Sequence, residues 1–300
     1  MKTVGIIGYG FVGKAVGQMA VKDAIRVIPF DIYNETYSSP AQMLAAFSAD
    51  FVFACVPTPT DPEDGRLDVS IVVDCVKKWK EVSQNINSVL VIKSTIPVGT
   101  VDELCDLFET DRIVHNPEFL TERTAMQDFL EVDEIVVGGP NPAACELVID
   151  LYNTWIHAIR PGSQPGDIKV VSTDARTAEM VKMVRNSFYA AKVAFMNQIY
   201  DLCVSMDIDY GKFRDIFARE GKHAWVNPMH TYVPGPRGAE YDELGNITNE
   251  HNRFFAGKCL PKDSLGLVSL ADSYDVDMTI LKEAILANDK KREASGQETR

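Results

Sequence analysis

Cys259 stands just ahead of a predicted helix, with Lys258 and Lys262 nearby. Positive neighbours and a helix N-terminus lower a thiol's pKa from about 8.5 and favour the thiolate, the nucleophilic form. A cysteine taken alone is more simply a small buried residue, so context decides. Asp263 follows one helical turn later, within reach of a water or hydroxyl at the same centre. Lys182 and Asn186 are four residues apart in a long helical stretch and share a face. An ammonium and an amide so placed suit a developing oxyanion, although a solvated helical face is the plainer reading of the same spacing. Lys192 lies on another face and reads as structural or interfacial.

A second group of residues suits phosphate. The apolar run Val4 to Ile7 leads into Gly8-Tyr9-Gly10-Phe11-Val12-Gly13, which opens a helix. Gly8 allows the tight turn, Gly10 lets the backbone approach a pyrophosphate, and Gly13 lets helix pack on strand. The helix N-terminus, with Phe11 and Val12, then faces the phosphates. Asp31 ends the second strand about 20 residues on, where an acidic residue accepts from the adenosine ribose hydroxyls and repels a 2′-phosphate. NAD is therefore expected over NADP. No His, Cys or Asp cluster has metal-ligand spacing, so no metal is expected. His115, His223, His230 and His251 fall in turn or loop segments and read as surface or packing residues.

These groups need a scaffold. Strands expected at 4–7, 25–30, 51–56, 89–92, 112–115 and 135–137 alternate with helical stretches, which predicts an α/β fold, a Rossmann-like doubly wound parallel sheet. From Thr173 to Ser205 one stretch without Gly or Pro reads as a single long helix, N-capped by Thr173 or Asp174, and further helices follow. The division is placed at 172: a cofactor domain, 1–172, and an all-α domain, 173–300. The 227–253 stretch, rich in Gly, Pro and Asn, reads as a functional loop or as partly disordered. Lys and Arg total 30 against 43 Asp and Glu, a net charge of −13, which argues against a nucleic-acid partner. No signal-like N-terminus and no apolar run near about 18 residues is seen, so a cytoplasmic chain without membrane contact is expected. The six scattered cysteines read as free thiols in a reducing compartment.

Three further strand ends carry motifs: Cys55-Val56-Pro57-Thr58-Pro59, Lys93-Ser94-Thr95-Ile96-Pro97-Val98-Gly99-Thr100, and Asn116-Pro117-Glu118-Phe119-Leu120-Thr121-Glu122. The carboxyl edge of such a sheet is where open α/β folds bind ligands. On these residues the chain resembles the UDP-glucose/GDP-mannose dehydrogenase family. Ser94 to Thr100 follows that family's STVPVGT with Ile96 for Val, and Asn116 to Leu120, Glu122, Ala125, Asp128-Phe129 and Ile135 to Gly138 follow NPEFLREG…A…DF…DRIVVG. Ala178-Glu179, Lys182, Asn186, Ala190, Lys192-Val193, Phe195 and Asn197 follow AExxKxxxNxxxAxKVxFxNE. Phe254 to Asp263 follows GFGGxCLPKD, with Phe254 and Ala256 replacing two glycines.

The resemblance implies NAD-dependent oxidation of a nucleotide sugar's C6 alcohol to a carboxylate through a thiohemiacetal and thioester on Cys259. It implies proton handling by Lys182 and Asp263, an oxyanion site at Lys182 and Asn186, and Glu118 as base in thioester hydrolysis. It places Pro57, Thr58, Thr95 and Glu122 against the cofactor, Thr95 also in the active site, and Phe119, Leu120, Phe255 and Gly257 against the substrate. It implies a homodimer through the helix 173–205. The family's third, nucleotide-sugar-binding domain is expected to be absent, with the loop 227–258 as a substitute lid. Two rivals stay open: a two-domain β-hydroxyacid-type dehydrogenase, whose family also has Lys-xxx-Asn on the long helix but no nucleophilic Cys, and a truncated NAD-binding relative without turnover.

Overall fold

A computed structural model describes residues 1–61, 63–83, 85, 87–162, 168–218, 254–257 and 259–295. The elements run β1 (Lys2–Ile7), α1 (Phe11–Val16), β2 (Ile25–Phe30), α2 (Pro40–Phe47), β3 (Phe51–Ala54), α3 (Ser70–Val82), β4 (Val89–Ile92), α4 (Thr100–Leu107), β5 (Ile113–His115), α5 (Ala125–Leu130), β6 (Glu134–Gly138), α6 (Pro142–Ile159) and β7 (Lys169–Thr173). Then come α7 (Ala175–Ser205), α8 (Tyr210–Phe217), α9 (Leu260–Ser273) and α10 (Thr279–Ala294). The chain divides into two compact units, one of 1–59 with 67–182 and one of 60–66 with 183–300, so that the division falls inside α7.

The first unit is built on a sheet of order β2-β1-β3-β4-β5-β6-β7. Every neighbouring pair is parallel except β5 with β6. Strands β3 and β4 are buried at all four positions, as parallel strands covered on both faces must be. Alternation splits their side chains between two cores. Phe51, Phe53, Val89 and Val91 pack with α1, α5 and α6, around Met19, Phe129 and Trp155. Val52, Ala54, Leu90 and Ile92 pack with α2, α3 and α4, around Phe47, Trp79 and Leu104. The sheet is thus wound on both faces, as the strand pattern predicts.

Two elements go beyond the sequence expectation. β7 is a half-exposed strand of the first unit, and α5 is barely a turn and a half. Asp174 caps α7 as expected, its Oδ1 accepting from Thr177 N–H at 2.8 Å. In the second unit, Ala190, Val193 and Ala194 of α7 pack with Phe255, Leu260, Ala284 and Ile285, and Met196 and Cys203 pack with Tyr210.

Candidate active site

The first unit holds the glycine turn. Gly8 has φ +86°, a left-handed conformation that a side chain would strain. A Cβ on Gly13 would sit 2.1 Å from the Gly8 carbonyl oxygen, so only glycine lets α1 start against β1. Gly10 precedes α1 and is exposed, with open space around it. Phe11, Val12 and Gly13 form the first turn, whose N–H groups have no partner within a helix. Asp31 lies just past β2, and its carboxylate accepts from Tyr9 N–H at 2.7 Å and Tyr33 N–H at 2.8 Å. One carboxylate thus ties the glycine turn to the end of β2. Each of its oxygens keeps a lone pair for a ribose hydroxyl. A free helix start, an open glycine and a carboxylate one strand away fit a dinucleotide such as NAD.

The next strand ends meet at the same edge of the sheet. Thr58 Oγ1 donates to the Thr95 carbonyl at 2.7 Å, and Ser94 Oγ donates to the Val56 carbonyl at 2.6 Å. Thr58 and Thr95 are buried, Pro57 is exposed, and Phe119, Leu120 and Glu122 are half-buried.

Glu118 and Lys182 form the centre of this unit's polar interior, 7% and 3% exposed. Lys182 Nζ donates to Glu118 Oε1 at 2.8 Å and to the Glu118 carbonyl at 2.7 Å. Glu118 Oε2 accepts from Leu120 N–H at 2.7 Å. Burial works to raise the Glu118 pKa, but the Lys182 charge and hydrogen bond, the Leu120 N–H and the more distant Lys93 outweigh it and hold the carboxyl below its usual range.

His115 corrects the expectation of a turn or loop residue: it is fully buried at the end of β5, with Nε2 3.3 Å from the Ser94 carbonyl. Burial pushes it down to about 3, with Lys93 and Lys182 adding to the effect, so it is a neutral packing residue. Among the described residues no group of His, Cys, Asp and Glu is arranged to hold a metal.

The second unit holds the rest. Asp263, on α9, is fully buried and accepts a short hydrogen bond from Asn186 Nδ2 on α7. Its other oxygen pairs with Lys262 Nζ at 3.0 Å. Ser187 Oγ donates to the Asp263 carbonyl at 3.3 Å. Cys259 is the residue before α9 and is half-buried, so its thiol sits at a helix start as expected, and Asp263 N–H bonds to its carbonyl at 2.8 Å. The Lys258 neighbour lies outside the described residues, as do His223, His230, His251 and residues 227–253 of the expected lid, 227–258. Burial pushes the thiols of Cys55 and Cys75 up to about 12, and those of Cys105 and Cys145 up to about 11.

Phe254 and Phe255 are both buried, 1% exposed, and Gly257 is exposed. The Phe254 ring is therefore a core side chain, with the Arg292 guanidinium 5.9 Å from its centroid. Two positioning residues carry no sequence-level assignment. Asn288 on α10 holds Phe255 at both backbone groups, accepting from its N–H at 2.6 Å and donating to its carbonyl at 3.0 Å, just ahead of Cys259. Glu179 on α7 accepts from Gly99 N–H at 2.6 Å and Val101 N–H at 2.8 Å, holding the start of α4. The Ala178-Glu179 motif position is the signal that marks Glu179.

Residues 36–156 match the model of the UDP-glucose/GDP-mannose dehydrogenase family, NAD binding domain, and residues 176–235 that of the family's central domain. The UDP-glucose 6-dehydrogenase of Rhizobium meliloti (strain 1021) is 31% identical over 263 residues, 84% of this chain and 53% of that protein. That of Rickettsia typhi (strain ATCC VR-144 / Wilmington) is 32% identical over 248 residues, 80% of this chain and 49% of its own. The chain thus spans about half the length of the curated relatives it matches. A UDP-glucose dehydrogenase structure from Pyrobaculum islandicum superposes with a TM-score of 0.73 at 24% identity, covering 97% of this chain and 68% of that one. The Mycobacterium tuberculosis 3-hydroxyisobutyrate dehydrogenase shares the fold, with a TM-score of 0.69 at 16% identity over 98% of this chain and 94% of its own.

Proposed function

The chain belongs to the UDP-glucose/GDP-mannose dehydrogenase family, and we propose that it oxidises the C6 alcohol of a nucleotide sugar, of the UDP-glucose kind, to the uronic acid. The observation that carries this reading is the buried Glu118–Lys182 pair, set at the carboxyl edge of a sheet whose first turn fits a dinucleotide. NAD, when bound, supplies the hydride acceptor for both oxidations. The glycine turn would hold its phosphates, Asp31 its ribose, and Pro57, Thr58, Thr95 and Glu122 the remainder.

Lys182 and Asn186 supply N–H donors to the alkoxide that develops at C6. Asp263, held by Asn186 and Lys262, accepts and returns protons. Cys259 adds as thiolate to the aldehyde carbon, giving a thiohemiacetal. After the second oxidation the product is a thioester, and water displaces the thiolate to leave the acid. Glu118 takes a proton from that water. It is a weak base while Lys182 rests on it, and gains basicity once Lys182 turns its donors to substrate. Phe119, Leu120, Phe255 and Gly257 border the sugar.

A homodimer through α7 belongs to the same proposal. Met180, Val184, Phe188, Phe195 and Leu202 fall on one stripe of α7, and each is 40–58% exposed. Such a stripe on one long helix suits burial against its twin. Sedimentation at micromolar concentration is expected to give a dimer that Phe188→Glu dissociates.

The deciding experiment counts NADH released per substrate over a panel of nucleotide sugars and simple hydroxyacids. Two per nucleotide sugar, with Cys259→Ser halting short of the acid and leaving a slowly hydrolysed adduct visible by mass spectrometry, is the expected result. One per hydroxyacid would favour the second reading, a two-domain hydroxyacid dehydrogenase, since 94% of the Mycobacterium tuberculosis structure is covered by this fold. No NADH across the panel leaves a protein that binds NAD without turnover.

A further inference from the structure

Glu118 is presented by a turn that begins where β5 ends, and Asn116, 1% exposed, stands at that point. Its main-chain N–H donates to the Ile92 carbonyl of β4 at 2.9 Å, and its side-chain Nδ2 donates to the Val136 carbonyl of β6 at 2.6 Å. β5 pairs with β6 at His115 and Gly138, so the amide adds a tie to β6 just where that pairing ends. Asn116 Oδ1 accepts from Lys93 Nζ at 3.1 Å and from Tyr152 Oη, on α6, at 2.6 Å. The partners dictate which way the amide faces. A lysine ammonium only donates and a carbonyl only accepts, so Oδ1 must face Lys93 and Nδ2 must face β6. Tyr152, on the same oxygen, is then a donor, and burial, which raises its pKa, keeps its proton in place.

Packing alone does not fix this turn. Residues 116–120 line a cavity of about 70 Å³ together with Tyr152. Atoms beside a void lack close contacts on that side, so hydrogen bonds must set their position. Lys93, past β4 and 4% exposed, adds one to the Pro117 carbonyl at 3.5 Å. Lys182 adds one to the Glu118 carbonyl at 2.7 Å. Both grip the main chain of the turn, while Asn116 alone ties it to a strand and a helix at once.

We infer that Tyr152 is a positioning residue for Glu118, acting through Asn116: its hydroxyl pins the amide that keeps the turn from moving into the cavity. The inference rests on the proposed role of Glu118 as base toward the hydrolytic water. In that step the water oxygen bonds to the thioester carbon and its proton passes to the Glu118 carboxylate. The carbon–sulfur bond breaks and the Cys259 thiolate leaves. A base displaced by about 1 Å slows the step it serves on the order of a hundredfold. Both oxidations come before this step, so a loosened turn should leave them running and stall the chain as its thioester.

The test is Tyr152→Phe in the full chain, which removes one hydroxyl and keeps the ring beside Phe129 and Trp155. Two readouts are taken. In rapid mixing with NAD and a nucleotide sugar, the NADH burst is expected at the wild-type rate. Hydrolysis should then slow on the order of tenfold to a hundredfold, with the acyl adduct on Cys259 accumulating by mass spectrometry. In the resting chain, hydrogen exchange follows the Leu120 amide, which donates to Glu118 Oε2. It should exchange about fivefold faster, the weight of one hydrogen bond, relative to the Leu90 amide on β4. A tyrosine that only fills the core would lower protection at both amides alike and slow no single step. A wild-type value of either readout in folded Tyr152→Phe overturns the inference. Should that variant not fold, Asn116→Asp, which cuts the tie to β6 instead, reads the same two quantities. A wild-type chain that releases no NADH from nucleotide sugars overturns the proposed function, and Leu120 exchange then decides the positioning by itself.

Discussion

Lys182 reaches Glu118 twice, through the carboxylate at 2.8 Å and through the main-chain carbonyl at 2.7 Å. The second bond makes the pairing a property of the backbone after β5 as well as of the side chain. The lysine is therefore held even when the carboxylate is not charged.

Removing the Glu118 charge should leave two buried ammoniums facing neutral acceptors. Glu118→Gln is expected to cost about 3 kcal/mol at pH 7, the scale for breaking a buried pair from one side. The folded-state carboxyl is depressed, so its contribution is present above the ordinary value of 4.5 and is lost as pH falls through the lower folded value. Urea unfolding at pH 7 and below pH 4 checks this, and the gap between wild type and variant should close at the lower pH. A gap independent of pH would contradict it.

Glu179 should behave in the opposite sense. Burial pushes its carboxyl up to about 7 despite the two N–H groups of α4 that it accepts. Between 4.5 and 7 the folded chain binds this proton more tightly than the unfolded chain, so stability should fall as pH rises through that window. The effect is on the order of 3 kcal/mol at most, and Glu179→Gln should flatten it. Thermal unfolding at half-unit steps from pH 4.5 to 8 reads the two slopes, and parallel slopes would count against it.

Asp31 should set cofactor choice. Its carboxylate also holds Tyr9 N–H, so Asp31→Ser removes both the ribose acceptor and a tie on the glycine turn. NAD affinity is expected to fall at least tenfold, about 1.4 kcal/mol, while NADP, relieved of a repelling charge, falls less or improves. Calorimetry with each cofactor measures the ratio. Equal affinities of wild type for NAD and NADP would refute the assignment.

Asn288 should matter to the second unit through Phe255. Asn288→Ala leaves the Phe255 N–H and carbonyl buried without their partner, at about 1–3 kcal/mol for each group. Hydrogen exchange gives the specific readout: the Phe255 amide should lose its protection ahead of the α7 core. Unchanged protection there would show that the two bonds hold nothing in place.

Much of the scaffold was legible because its signals are local. The apolar runs of β3 and β4, the glycine turn, Asp31 past β2, and Asp174 ahead of α7 each follow from neighbours in the chain. β7 escaped because an edge strand with one wet side, Lys169-Val-Val-Ser-Thr, shows no apolar run. α5 escaped because six residues are too few to show a helical period.

The candidate residues divide in the same way. Types and spacing nominated Lys182, Asn186, Cys259 and Asp263, because a helix puts positions four apart on one face and a motif keeps its order along the chain. Spacing could not say that Asn186 belongs to Asp263 while Lys182 belongs to Glu118, 64 residues away. Nor could it tell that His115 is sealed from water, or that Lys93, which reads as the polar stop of an apolar strand, lies buried beside that pair. Elements and the chemistry on offer are written along the chain, since propensity and periodicity act within a few residues. Which charges share an interior is settled by the fold, since burial and pairing depend on atoms that the chain brings together from far apart.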